Sequence, residues 1–252
     1  MAATPPAPRR RPLLWILGGA VALVLLVVGG TWVYINVVRD DAPERLTFTD
    51  REPDATTSET TTTEPTTTHA TTADPDAAGG DVTGTWTAGD GSIAGYRVAE
   101  ILFGQSVEAA GRTEEVSAVV VLDGTTLVSA DVEVDMASIT SDESRRDNQF
   151  RGRIMDTDTF PTARFVLAGP LDLGELPAGD DEVAVTAPGE LTLRGTTRAV
   201  EAELAARRIG ETIEVIGTIP VVFADFGIPN PNVPGITTEQ EGLVELRLVL
   251  VR

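Results

Sequence analysis

The chemistry-bearing residues of this chain are unevenly supplied. Between Gly84 and Arg252 there are 28 aspartates and glutamates and 13 arginines, but no cysteine, histidine or lysine. That stretch therefore lacks a thiolate, an imidazole base, an amine nucleophile and the soft metal ligands. Its serines and threonines have no histidine or lysine to activate them. Two carboxylates would suffice for glycoside hydrolysis, yet spacing sets no pair apart among the 28. Asp156-Thr157-Asp158 and Asp180-Asp181-Glu182 could attract calcium, but neither fits an EF-hand loop, and both read as solvated turns. The inventory favours holding a molecule over transforming it, so no enzymatic activity, resident cofactor or metal is expected.

The elements that carry these residues are written in period two. Val128, Ala130, Val132 and Val134 alternate with Ser129, Asp131, Glu133 and Asp135, the pattern of a half-buried strand. Glu115 to Leu122 precedes it, with the turn signal Asp123-Gly124 between. Similar runs occur at Ile93 to Leu102, at Leu191 and Leu193, at Val200 to Leu204, at Ile213 to Phe223 and at Leu243 to Val251. Gly195-Thr196-Thr197 reads as the turn between two of them. One helix is expected over Ser141 to Arg151, with Thr140 and Glu143 as a capping box and Gly152 at its end. About eight antiparallel strands with short turns predict an all-β, up-and-down barrel with one short flanking helix. Such a barrel either fills with side chains or holds one slender ligand. Its inward positions are mostly small and aliphatic, and only eight aromatics occur in 84–252.

Upstream the composition changes twice. Leu13 to Val33 is 21 residues without a charge, roughly 32 Å as a helix, enough to span a bilayer. Arg9, Arg10 and Arg11 precede it and Asp40 and Asp41 follow, which predicts a cytoplasmic N-terminus and an extracytoplasmic remainder. The stretch is long for a signal peptide, and Gly29-Gly30-Thr31 is a poor cleavage site. Ala55 to Ala73, rich in threonine, proline and acid, cannot form a core and contains the lone histidine, His69. The expected organisation is a basic cytoplasmic N-terminus at 1–12, a transmembrane helix at 13–38, a disordered stalk at 39–83 and a barrel at 84–252. The barrel segment alone balances to −15, which disfavours nucleic acid as a partner.

Several short motifs carry a resemblance. Arg146-Asp147 followed by Phe150, then Phe160-Pro161-Thr162-Ala163-Arg164-Phe165, is similar to the Arg-Asp and Tyr-Pro-x-Ala-x-Phe segments of the YceI-like polyisoprenoid-binding family. Gly189 to Val200 resembles that family's Gly-x-Leu-Thr-x-x-Gly-Val-Thr hairpin, and Ala224 to Ile228 its Asp-Phe-Asn/Gly-Ile segment. The motifs fall in family order across 84–252. The resemblance implies a lipocalin-like barrel holding a polyisoprenoid or isoprenoid-quinone-like chain along its axis. One departure concerns the first long strand, where many relatives have a histidine and this chain has Glu100. A carboxylate there would select a different end group.

The resulting expectation is a membrane-anchored, extracytoplasmic lipid-binding protein. Its ligand-contacting residues would be Tyr96, Glu100, Ile101, Val132, Val134, Phe150, Ile154, Phe160, Phe165, Leu191, Leu193, Leu204, Phe223 and Phe226. The alternative is a filled barrel that binds a protein or envelope polymer through its rim loops. Arg146 and Asp147 are read as fixing the helix against the barrel.

Overall fold

The computed structural model describes residues 42–49, 81–102, 104–174, 181–230 and 236–252, together with Leu23, Leu25, Val28, Gly29 and Gly30. It divides into two units, Met1–Asp41 and Ala42–Arg252. In the first, the five described residues are helical, and Leu23 and Leu25 are each 66% exposed. Among the described residues no helix is long and apolar enough to cross a membrane. The rest of the expected span at 13–38, the N-terminus at 1–12 and most of the expected stalk lie outside the described residues.

The strands of the second unit are β1 (Gly84–Ala88), β2 (Ile93–Leu102), β3 (Gln105–Thr113), β4 (Val116–Asp123), β5 (Thr126–Asp135), β6 (Thr140–Ser141), β7 (Thr162–Leu167), β8 (Leu171–Asp172), β9 (Val183–Leu193), β10 (Thr196–Ile209), β11 (Thr212–Val222), β12 (Ile236–Thr238) and β13 (Glu241–Val251), the period-two runs being β2, β4, β5, β9, β10, β11 and β13. Eight of them, in the order β1-β4-β5-β7-β9-β10-β11-β13, close on themselves through the β1–β13 pair. Every pairing in that ring is antiparallel. β2 continues β1 along β13, and β3 pairs with β2 and leads into β4. Residues 84–102 and 105–123 thus form one long, kinked hairpin that extends past the ring. This is the up-and-down barrel the alternation predicts, and closure removes the unpaired edges an open sheet would expose.

Three local expectations are corrected. The β9–β10 turn is Arg194-Gly195, with φ of 48° and 72°, one residue earlier than the Gly195-Thr196-Thr197 reading. Two successive left-handed residues match the twist of the flanking strands. Val128 does not share the inward face of Val132, and it is 38% exposed. A register shift between Val121 and Leu122 turns Leu127 inward in its place. The helix is shorter than expected: α1 spans Ser144–Gln149 and runs into a π-helical turn, Phe150–Ile154. Thr140 and Ser141 are not its cap. They pair with β3, and Ser141 donates from its backbone N at 2.9 Å and from Oγ at 2.6 Å to Asp147 Oδ1. Asp147 is buried, and Arg146 bonds Asp142, so this pair of residues does fix the helical segment.

Candidate functional site

A period-two strand points every second side chain into the barrel, and here those positions do two different things. Over one half of the barrel they enclose an apolar cavity of about 150 Å³. Its wall is built from β4 (Val120, Leu122), β5 (Leu127, Ala130, Val132), β9 (Val183, Val185), β10 (Ala202, Leu204, Ala206), β11 (Ile213, Val215, Ile219) and β13 (Leu246, Leu248, Leu250), with Phe165 from β7. Val82 and Leu173 join at the end marked by the β4–β5 and β10–β11 turns, where Asp181, Arg207 and Arg208 supply the charges of the lining. Ala163, Leu191, Leu193, Phe150, Met155 and Phe226 are not among these lining residues and are buried in the same apolar core.

Two glycines shape the cavity wall. Gly189 and Gly217 leave two gaps in the wall. The ring of Phe165 occupies the first and Leu204 the second, so that a Cβ at either glycine would clash with those side chains. Phe165 is thereby seated against Gly189 in the cavity wall.

Of the fourteen residues expected to touch ligand, Val132, Phe165 and Leu204 line the cavity. Leu191, Leu193, Phe150 and Phe226 are buried in the apolar core, and Val134, Ile154 and Phe223 are partly buried against it. Tyr96 stacks on Phe150 with ring centroids 4.9 Å apart. Burial raises the Tyr96 phenol's pKa well above its ordinary value and keeps it neutral. Phe160 packs against Gly195 with Arg194 5.8 Å from its ring centre. Glu100 and Ile101 sit where β2 pairs with β12, with Ile101 exposed and Glu100 accepting from Thr238 Oγ1 at 3.5 Å. The lining residues that the motif reading missed, such as Ala130, Val185, Ile213 and Leu248, were marked by inward phase alone. Resemblance drew attention to aromatic motifs, and of those aromatics Phe165 lines the cavity.

The outer wall carries a feature with no counterpart in the sequence reading. Residues 42–49, expected to be stalk, lie across the barrel. Arg97 is 4% exposed and Glu245 2%, although both occupy outward-facing positions. Arg97 donates from Nε to Glu245 Oε1 at 2.7 Å, from Nη1 to Glu108 Oε2 at 2.9 Å and from Nη2 to the Pro43 carbonyl at 2.7 Å. At the other end of the strap, Thr49 N and Oγ1 both donate to Glu214 Oε1 at 2.8 Å. Arg207 donates from Nη2 to Glu214 Oε2 at 2.9 Å and lies 4.4 Å over the Phe48 ring. Burial works against the Glu214 charge, but the Thr49 and Arg207 hydrogen bonds outweigh it and hold its pKa below the ordinary value. One rim arginine is thus shared between the cavity mouth and the strap.

The family model of the YceI-like domain matches residues 76–250. The chain belongs to the YceI-like family. A polyisoprenoid-binding domain from Saccharophagus degradans, implicated in plant cell wall breakdown, is similar in fold with a TM-score of 0.54 at 16% identity, over 66% of this chain and 97% of that one. BcnA of Burkholderia cenocepacia aligns with a TM-score of 0.47 and 22% identity over 62% of this chain and 95% of that one. The YceI protein of Campylobacter jejuni aligns at 0.40 and 15% over 55% and 83% respectively. A comparison with curated protein sequences finds no match. The YceI-like match begins at residue 76, so the family domain takes in the residues just before β1, including Val82.

Proposed function

We propose that this YceI-like barrel binds the apolar chain of an isoprenoid lipid, as a carrier, store or sensor, without transforming it. The observation that carries this reading is the open cavity: apolar over most of its wall, charged only at one end, and lined by a single described carboxylate, Asp181. Apolar chain burial needs no catalytic group, since each methylene removed from water contributes about 0.8 kcal/mol. The family match and the polyisoprenoid-binding Saccharophagus domain of like fold support the choice of an isoprenoid.

The reading includes a membrane anchor through residues 13–38 and an extracytoplasmic barrel. It is supported by the 21 uncharged residues from Leu13 to Val33, by the arginine trio before them and by Asp40 and Asp41 after them. The apolar, exposed, helical Leu23, Leu25 and Val28 agree with it. The test is to purify the full chain from membranes, extract it with organic solvent and weigh the extract by mass spectrometry. A near-stoichiometric isoprenoid is expected. No co-purifying lipid, together with no uptake of added isoprenoids, would overturn the proposal.

A further inference from the structure

We infer that the outer wall of the barrel is a docking surface for the chain's own residues 42–49, and that this docking takes residues 50–80 out of the tether between anchor and barrel. The inference rests on the anchor reading above and extends it.

Three observations carry it. The first is that the wall recognises backbone. Three of its arginines each donate to a carbonyl of the strap: Arg97 to Pro43, Arg112 to Glu44 and Arg207 to Thr49. Leu46 and Phe48 are half-buried while Thr47 between them is exposed, so the strap turns one face to the wall, as an extended chain does. Beneath it lie Arg97 and Glu245, a buried ion pair at outward strand positions. A desolvated pair needs further hydrogen bonds, and the strap supplies one of them. The second observation is fit. Eight extended residues reach about 26 Å. From β3 to β10, through β2, β13 and β11, the wall spans four strand spacings, about 19 Å. The third is where the chain goes next. Thr49 is held by Glu214 and Arg207, close to the β10–β11 turn. The chain is held again at Asp81, whose carbonyl accepts from Arg252 Nη2 at 2.7 Å, and at Thr83, whose Oγ1 accepts from Gly124 N at 3.0 Å. Val82 lines the cavity at the same end as Arg207 and Arg208. Residues 50–80 thus leave the barrel and return to it at one end. They join two points of a single unit, Ala42–Arg252. Between the expected span and the first docked residue, Pro43, only the four residues 39–42 remain, at most about 14 Å of chain. A free coil over 39–83 would instead reach about 37 Å.

The discriminating measurement lengthens 50–80 and reads how far the barrel stands from the bilayer. The chain has no cysteine, so Ser129→Cys, at an exposed position of β5, provides one site for a donor dye. The full chain is placed in phosphatidylcholine nanodiscs with acceptor-labelled headgroups, and energy transfer is recorded. Two further copies of Ala55–Ala73 are then inserted after Ala73. With the natural strap, transfer should not change. If the strap does not dock, the insertion lengthens the coil from about 37 to about 50 Å and transfer drops accordingly. That drop overturns the inference and leaves the anchor and the lipid reading standing. This comparison requires no change to the strap or the wall. Replacing 42–49 by Gly-Ser repeats should lower transfer, and the insertion should then lower it further. A strap-replaced chain that unfolds cooperatively in urea yet ignores the insertion is held by something other than the strap, which also overturns the inference. A chain that does not enter the nanodisc overturns the anchor reading and the inference with it.

Discussion

At the scale of residues, the strongest commitments of this barrel lie on its outer wall. The ion pair between Arg97 and Glu245 is covered by the strap and further tied to Glu108 and Pro43. Burial opposes the charge on Arg97, yet its carboxylate partners outweigh that effect and raise its pKa. Removing one member of a buried pair leaves the other unpaired, at a cost of about 3–5 kcal/mol. Arg97→Ala and Glu245→Ala should each lower stability by that order in urea unfolding, and the double variant should recover much of the loss. Additive losses would deny the coupling. Glu214 makes a pH prediction. Its folded pKa is depressed, so its contribution is present above the ordinary carboxylate pKa and is lost as pH falls through the lower, folded value. The Thr49 amide resonance should keep its docked shift at neutral pH and lose it in acid, below about pH 4. Glu214→Gln should release it at neutral pH. None of this was readable beforehand. In the alternating pattern Arg97 and Glu214 look like ordinary solvent-facing charges, and only the strap, 54 residues from Arg97 in sequence, buries them.

Elements were more legible than residues. Alternation placed seven of the strands, while the turns came out one residue off: the β4–β5 turn is Gly124-Thr125, with Asp123 paired to Thr126, and the β9–β10 turn is Arg194-Gly195. It failed where the ladder itself departs from period two. The bulge opposite Val121 and Leu122 reverses the face of Val128, and a bulge leaves no signature in an unbroken apolar-polar run. The helix start failed for a related reason. Thr140 and Glu143 have capping-box spacing, but Thr140 is held in a strand pair with Arg112, and a tertiary pairing outranks a local cap. The long hairpin β2–β3 offers a test at this scale. At Gly95 an added Cβ would run into the Gly111 carbonyl oxygen, a backbone atom that cannot rotate away. Gly95→Ala should therefore force the strands apart and cost about 3 kcal/mol or more. Gly152→Ala, in the π-helical turn with open space around it, should be neutral or stabilising by about 0.5–1 kcal/mol. Equal effects of the two substitutions would refute the steric account.

For the molecule as a whole, the ring of eight strands was legible from strand count and order. The extent of its cavity was not. That depends on how Phe165 and Leu204 turn into the gaps at Gly189 and Gly217, a matter of rotamers across neighbouring strands. The apolar cavity has a thermodynamic consequence. An unfilled apolar cavity costs about 24 cal/mol per Å³, so about 150 Å³ amounts to about 3–4 kcal/mol of stability withheld from the empty protein. A bound chain would offset part of it. Filling the space permanently should therefore move stability and binding in opposite directions. Ala130 lines the cavity on β5, where valine is also the better strand former. Ala130→Val should stabilise the chain by about 0.5–2 kcal/mol in urea unfolding and weaken geraniol binding at least tenfold. A protein whose interior serves only packing would gain the stability and have no binding to lose. A variant that loses both would mean that the space around Ala130 is already occupied by its own side chains.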